Sequence, residues 1–117
     1  MKLVQWLYQW LFQPLLPRFI LEMQERSSQW RRVRAEHLKK EPVCQACGRS
    51  RELDVHHVIP VSFEPSKELD PQNLITLCSS PCHIVFGHFM NYHCYNKDVR
   101  KMVAEYRKAL DKRKCLR

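Results

Sequence analysis

The chain has 117 residues and a formal net charge of +8, which suits a single domain and favours an anionic partner such as nucleic acid. Lys and Arg concentrate in two flanks, residues 26–40 and 97–117. Lys and Arg side chains that neutralise phosphates gain affinity for nucleic acid by releasing counterions. The alternative is a solvated surface, which would have the same charge pattern. Six cysteines could build a secreted disulfide framework, but four of them stand in close pairs of the metal-binding kind, which favours a reducing, cytoplasmic compartment.

Residues 1–23 are apolar and aromatic, and three interpretations compete for them. A transmembrane helix is disfavoured because Gln, Pro and Arg interrupt any span of about 20 residues. A secretory signal lacks a small-residue cleavage site. We therefore predict a helical extension over residues 1–26, broken near Pro14 and Pro17, that packs on the domain, on a protein partner or on a second copy of the chain. A membrane-surface anchor is the alternative.

A helix and a cysteine knuckle are predicted next. Apolar residues three and four apart run from Trp30 to Leu38, and Ser27 or Ser28 can cap that helix. Glu41 ends it, because a residue that precedes proline disfavours the helical region. Residues 43–48 then form a cysteine knuckle that turns at its glycine.

The second half of the chain predicts a hairpin and two further helices. Alternation and Val/Ile content make 53–61 a strand that ends at Pro60, and the polar stretch 62–73 a loop. The remaining predicted elements are a return strand at 74–77, a helix at 82–90 and an amphipathic basic helix that begins near Val99. The predicted organisation is thus an N-terminal extension (1–26), a core (27–95) and a basic C-terminal helix (96–117).

Two cysteine pairs, Cys44-x2-Cys47 and Cys78-x3-Cys82, have the spacing that lets four thiolates share one tetrahedral zinc ion. Thirty residues separate the pairs, against roughly fifteen to twenty in a zinc ribbon, so a β-hairpin must leave one pair and return to the other. Four thiolates leave no open coordination position, which makes this Zn2+ structural. The second pair holds one residue more than the commoner spacing, and that residue must bulge.

Histidines and an asparagine lie between and beside these cysteines. The relevant runs are W-R-R-V-R-A-E-H-L-K-K-E-P-V-C-Q-A-C-G from Trp30, V-H-H-V-I-P-V from Val55 and N-L-I-T-L-C-S-S-P-C-H from Asn73. In order and spacing, residues 28–88 resemble the HNH nuclease family. The resemblance implies a small α+β fold in which a ββα-metal core is stapled by the four-cysteine zinc and flanked by helices.

The same resemblance implies roles for individual residues. His57 matches the general base that takes a proton from water, and an imidazole suits that task near neutral pH. His56 and His83 match ligands of a catalytic divalent ion that contacts a non-bridging phosphate oxygen and the leaving 3′ oxygen. Asn73 matches the residue that hydrogen-bonds the loop and keeps the base oriented.

His88 has two interpretations. Some family members carry a third ligand four residues after the helix start, whereas His88 follows His83 by five. That spacing places the two side chains about 140° apart on an ideal α-helix. His88 is therefore either a third metal ligand or a phosphate contact.

The expected function is a metal-dependent endonuclease that cleaves DNA through backbone contacts and with low sequence preference. Imidazole ligands favour Mn2+, Ni2+ or Zn2+ over Mg2+, although the resemblance implies broad tolerance that includes Mg2+. The predicted phosphate-binding residues are Arg31, Arg32, Arg34, Lys97, Arg100 and Lys101. The rival hypothesis is a non-catalytic, zinc-stabilised nucleic-acid-binding or interaction subunit of a larger phage or restriction complex.

Overall fold

The computed structural model describes residues 26–115, with side chains to residue 113. Its elements, in chain order, are helix α1 (Trp30–Lys40), strand β1 (Leu53–His57), 3-10 turns at Pro65–Lys67 and Pro71–Asn73, strand β2 (Leu74–Cys78), a π-helix (His83–Gly87) and helix α2 (Val99–Cys115). The predicted α+β class is confirmed. The predicted extension over 1–26 lies outside the described residues, except for Arg26.

The N-cap of helix α1 lies one or two residues after the predicted serine cap. Its N-cap is Gln29, which makes no side-chain capping bond, so the serine cap was wrong. Ser27 instead closes a turn ahead of the helix, since its hydroxyl accepts from the Gln29 N–H at 3.2 Å and its carbonyl accepts from the Trp30 N–H at 2.9 Å. The helix ends at Lys40, as the following Glu41–Pro42 pair predicted.

The two strands form one antiparallel sheet in which Leu53 pairs with Cys78 and His57 pairs with Leu74. β1 stops at His57, so the predicted strand to residue 61 was too long. The reason is local: the Ile59 N–H donates to the side-chain oxygen of Asn73 at 2.8 Å rather than to a strand carbonyl. The connection between the strands, residues 58–73, is thereby closed by an asparagine side chain.

Glu41, which follows α1, and Arg100 of α2 both form hydrogen bonds with β2, which is buried along its whole length. The Glu41 carboxylate accepts from the Thr76 N–H at 3.0 Å, and its carbonyl accepts from the Thr76 hydroxyl at 3.0 Å. From α2, the Arg100 guanidinium donates to the Leu74 carbonyl at 2.8 Å. These bonds matter because an isolated two-stranded sheet is marginally stable in water.

The apolar core lies between β2, the cysteine-bearing turns and α2. Its buried members are Cys44, Ala46, Ile75, Leu77, Cys78, Cys82, Val99 and Val103. Three of the four paired cysteines are therefore core residues as well as potential ligands. Within residues 26–115, no helix is long and apolar enough to cross a membrane.

Candidate metal centres and active-site cleft

The sulfur atoms of Cys44, Cys47, Cys78 and Cys82 all lie within 4.8 Å of one another. The Cys47 and Cys78 sulfurs are 3.9 Å apart, close to the ~3.8 Å that separates two thiolates on a tetrahedral zinc with Zn–S bonds near 2.3 Å. A disulfide needs about 2.05 Å. The geometry therefore fits a four-thiolate metal site and not a pair of disulfides.

The protonation chemistry of the cluster also calls for a cation. Burial raises the pKa of Cys82 far above that of a free thiol, and burial raises the pKa of Cys47 as well. Burial acts in the same direction on Cys44, but backbone N–H groups of Cys47, Cys78 and Ala46 outweigh it and lower the pKa of Cys44 to about 7. Among these three cysteines, the protein alone thus favours the thiolate only at Cys44, and a divalent ion would stabilise the thiolates of Cys47 and Cys82.

The extra residue in the second cysteine pair is absorbed outside the core. Ser79, Ser80 and Pro81 are exposed, and the Ser80–Pro81 peptide bond is cis. Cys78 and Cys82 on either side remain buried and converge with the first pair. The bulge predicted for this segment is confirmed, and it leaves the sulfur geometry intact.

A second cluster brings together one ring nitrogen each from His56, His83 and His88, all within 4.8 Å of one another. His56 Nδ1 and His83 Nε2 are 3.1 Å apart. Burial, and then the neighbouring histidines, lower the pKa of His56 to about 3, and burial lowers the pKa of His83. Two neutral imidazoles at this separation present lone pairs that a transition-metal ion can share.

The π-helix explains how His88 joins this cluster. In an α-helix, residues five apart point in different directions, but the i→i+5 hydrogen bonding of a π-helix places them on one side. The π-helix runs from His83 to Gly87, and the helical turn continues through His88. The α-helical geometry assumed for residues 83–88 was therefore wrong, and the π-helix places the His88 ring beside the rings of His56 and His83.

In two of the three rings, the nitrogen that points away from the cluster is hydrogen-bonded to the protein. His83 Nδ1–H donates to the Asp54 carboxylate at 3.0 Å, and His88 Nδ1–H donates to the Cys94 carbonyl at 2.8 Å. Neither oxygen can donate a hydrogen bond, so in both neutral rings the proton is on Nδ1 and Nε2 has a lone pair. Such outer partners are typical of metal-bound histidines. The buried Nε2 of His56 has no hydrogen-bond partner among the described residues.

Gly87 makes room for the His56 ring. A Cβ at this position would lie 2.8 Å from His56 Cε1 and 3.1 Å from His56 Nδ1. Neither atom could give way without displacing the imidazole. The glycine is therefore a requirement of the histidine cluster.

His57 lies on the opposite side of β1 and is oriented by a backbone carbonyl. Its Nε2–H donates to the Glu68 carbonyl at 2.9 Å, and the Trp30 ring packs against it with centroids 4.6 Å apart. Burial lowers the pKa of His57, with the Glu68 carbonyl acting against this effect. The ring is therefore a neutral imidazole, and its Nδ1, which has no hydrogen-bond partner among the described residues, can accept a proton.

The Asn73 side chain forms no hydrogen bond with His57 and instead holds the loop whose Glu68 carbonyl orients the His57 ring. Its amide nitrogen donates to the carbonyls of Ile59 at 3.0 Å and Lys67 at 3.1 Å. Lys67 is the neighbour of Glu68, whose carbonyl holds the His57 ring. The asparagine therefore acts on the histidine through the loop.

One open cleft, with a volume of about 350 Å3, contains both functional parts. Its lining includes His57 on one side and the three clustered histidines on the other, together with Arg26, Val55, Pro60, Val61, Ser62 and Tyr92. A phosphate in this cleft would meet a proton acceptor and a potential metal site at once.

None of the six basic residues predicted to bind phosphate lines this cleft. Arg34 and Arg100 donate to the carbonyls of Leu53 and Leu74, which gives both a role in packing. Arg32 lies 3.5 Å from Glu36, while Arg31, Lys97 and Lys101 are exposed. Their contact with nucleic acid stays a prediction.

Sequence reasoning missed Asp54, Trp30 and Arg26. Asp54 had a detectable signal, since residues two apart on a strand share a face and Asp54 precedes His56 by two. Trp30 and Arg26 carried no comparable signal, because their proximity to His57 follows from how α1 packs on the sheet.

We expect Cys47→Ser to lose the bound zinc and to lower the melting temperature strongly, because three thiolates close the site poorly. Cys94→Ser is the matched control, since Cys94 is an exposed free cysteine outside the cluster. Zinc content by mass spectrometry and thermal unfolding would measure both. A melting temperature that is unchanged after chelation would rule out a structural zinc.

We expect Gly87→Ala to destabilise the fold by about 1–3 kcal/mol through overpacking against His56. The same substitution in a His56→Ala background should be neutral or stabilising, because alanine is the better helix former once the ring is gone. Unfolding of the four proteins in the double-mutant cycle gives the coupling energy. Additive effects would contradict the predicted clash.

We expect Asp54→Ala to weaken binding of a transition-metal ion to the histidine cluster by about 10- to 100-fold, because His83 loses its orienting acceptor. Titration calorimetry with Mn2+ or Ni2+ on the zinc-loaded protein would measure this. Asp111→Ala removes an exposed carboxylate of α2 and should leave the affinity unchanged. Equal affinities for both variants would show that Asp54 does not support the site.

Comparison with known proteins agrees with this geometry. Residues 44–84 match the family model described as HNH endonuclease. The match includes both cysteine pairs together with His56, His57, Asn73 and His83, whereas His88 lies beyond it. No curated protein and no solved structure gives a significant match. Residues 44–84 are thus similar to the HNH endonuclease family, which confirms the resemblance seen in the sequence.

Proposed function

We propose that the protein is a metal-dependent endonuclease that hydrolyses DNA phosphodiester bonds within a ββα-metal core. The observation that carries this proposal is the shared cleft: a neutral imidazole with a free Nδ1 stands beside three imidazoles that converge on one point. The two strands followed by the π-helix would form the ββα unit.

His57 is the proposed general base. The Glu68 carbonyl fixes Nε2 as the protonated nitrogen, so Nδ1 takes the proton of a water molecule. As that proton leaves, the water oxygen forms the new bond to phosphorus and the bond from phosphorus to the 3′ oxygen breaks. Asn73 is a positioning residue in this scheme, because it holds the loop that carries the Glu68 carbonyl.

His56, His83 and His88 are the proposed ligands of the catalytic cation. When bound, a divalent ion supplies positive charge to the phosphoryl group and to the leaving oxygen. Three imidazoles suit Mn2+, Ni2+ or Zn2+ better than Mg2+. Turnover with Mg2+ alone would make the assignment of His56 as a ligand suspect.

DNA is the proposed substrate, by resemblance to the family, and a net charge of +8 supports an anionic partner. Contacts with the backbone and low sequence preference are expected, since no base-reading element stands out. Cytoplasmic localisation, a bacterial or phage origin and association through residues 1–26 stay predictions.

The rival function is a zinc-stabilised binding or interaction subunit without catalysis. It retains the four-cysteine site and the basic surface but gives His57 no chemical task. The two functions therefore differ in what a substitution at His57 does.

The test is nicking of supercoiled plasmid by zinc-loaded protein with added Mg2+, Mn2+, Ni2+ or Zn2+. We expect metal-dependent nicking by the wild type and a loss of about 100-fold or more in His57→Ala, in the range typical of a lost general base. His93→Ala is the control, because His93 is exposed and does not line the cleft. A folded wild-type protein that never nicks DNA would favour the binding subunit.

A further inference from the structure

Arg26 is the one Lys or Arg among the described residues that line the cleft. The other charged candidates lie elsewhere on the surface or donate to backbone carbonyls. Among the described residues, Arg26 is therefore the permanently charged cation that a phosphate in the cleft would meet.

Two neighbours hold the Arg26 side chain in place. Its guanidinium carbon lies 5.0 Å from the centre of the Trp30 ring, within the range of a cation–π contact. Its Nη1 lies 4.0 Å from the Glu68 carboxylate, which also accepts the Ser27 N–H at 3.1 Å. The ion pair is long and the Arg26 side chain is 55% exposed, so its donors remain available to a ligand.

The same two neighbours hold His57. Trp30 packs against the His57 ring at 4.6 Å, and the Glu68 carbonyl accepts from His57 Nε2 at 2.9 Å. The position of Arg26 is therefore tied to that of the proposed base through two shared residues. The guanidinium is therefore held beside the proposed base and not at a distant part of the surface.

We propose that Arg26 is a catalytic residue that binds the phosphate at which the strand is cut. A guanidinium presents a planar fork of donors that matches two phosphate oxygens, which an ammonium cannot do. Trp30 and the Glu68 carboxylate are positioning residues for this arginine. The inference rests on the proposed nuclease function and adds to it the group that recognises the phosphate.

The test compares Arg26→Ala with Arg51→Ala in zinc-loaded, metal-supplemented protein. Each substitution removes one positive charge, but Arg51 is exposed in the turn before β1 and does not line the cleft. We expect Arg26→Ala to lower kcat/KM for plasmid nicking by about 10- to 100-fold, mainly through kcat, as for a lost charge-assisted hydrogen bond to the reacting group. Arg51→Ala should change kcat/KM by less than about 3-fold.

Two further variants separate contact with substrate from effects on folding. Arg26→Lys keeps the charge without the fork and should recover only part of the lost rate. Glu68→Gln keeps the backbone carbonyl for His57 and should lower kcat less than Arg26→Ala does. The two Arg26 variants should melt within a few degrees of the wild type, because the Arg26 side chain is mostly exposed.

Binding to a short DNA duplex without added catalytic metal gives a readout that is independent of turnover. We expect Arg26→Ala to reduce the slope of log affinity against log salt by about one, as for one lost phosphate contact. If the wild type nicks DNA and the Arg26 and Arg51 variants behave alike in kcat and in salt slope, this proposal is overturned while the nuclease function stands. If the wild type does not nick DNA, the nuclease function fails, and an unchanged salt slope in Arg26→Ala would reject the phosphate contact as well.

Discussion

The convergence of four cysteine sulfurs constrains every other part of the described structure. One pair lies before β1 and the other begins at the end of β2, so the cluster closes the hairpin at the end away from the histidines. A sheet of two five-residue strands has little stability alone, and three of these cysteines belong to the apolar core. Zinc binding energy would therefore appear directly as folding energy.

The cysteine cluster also positions the histidines relative to one another. His56 lies on β1, which follows the first cysteine pair, and His83 begins the π-helix, which follows the second pair. The cysteine cluster therefore holds β1 and the π-helix close together. Within that frame the π-helix turns His88 inward, and Gly87 leaves the space that the His56 ring fills. The extra residue between Cys78 and Cys82 and the wider turn of the π-helix are thus both compatible with a compact cluster of three histidines.

Backbone and carboxylate oxygens, rather than further metal-binding residues, set the tautomers of three histidines. Asp54 holds His83, the Cys94 carbonyl holds His88 and the Glu68 carbonyl holds His57. Each bond leaves the other ring nitrogen with a lone pair, which can bind a cation at His83 and His88 or accept a proton at His57. Glu68 has a wider role, because its carboxylate also approaches Arg26 and so links the proposed base to the proposed phosphate contact.

Much of this protein could be predicted from local sequence. The cysteine pairs and the order of helices and strands follow from spacing and periodicity, because ligand pairs and strands are built from neighbours in the chain. The α+β class and the roles of His56 and His57 were implied by the resemblance to the HNH nuclease family. The serine cap and the longer first strand were wrong, since Gln29 begins α1 and the Asn73 side chain replaces a strand partner for Ile59. Only the tertiary structure decided that His88 joins the cluster, that Asp54 orients His83 and that Arg26 enters the cleft. Those relations depend on a non-standard helical turn and on packing between segments far apart in the chain, and neither leaves a pattern in neighbouring residues.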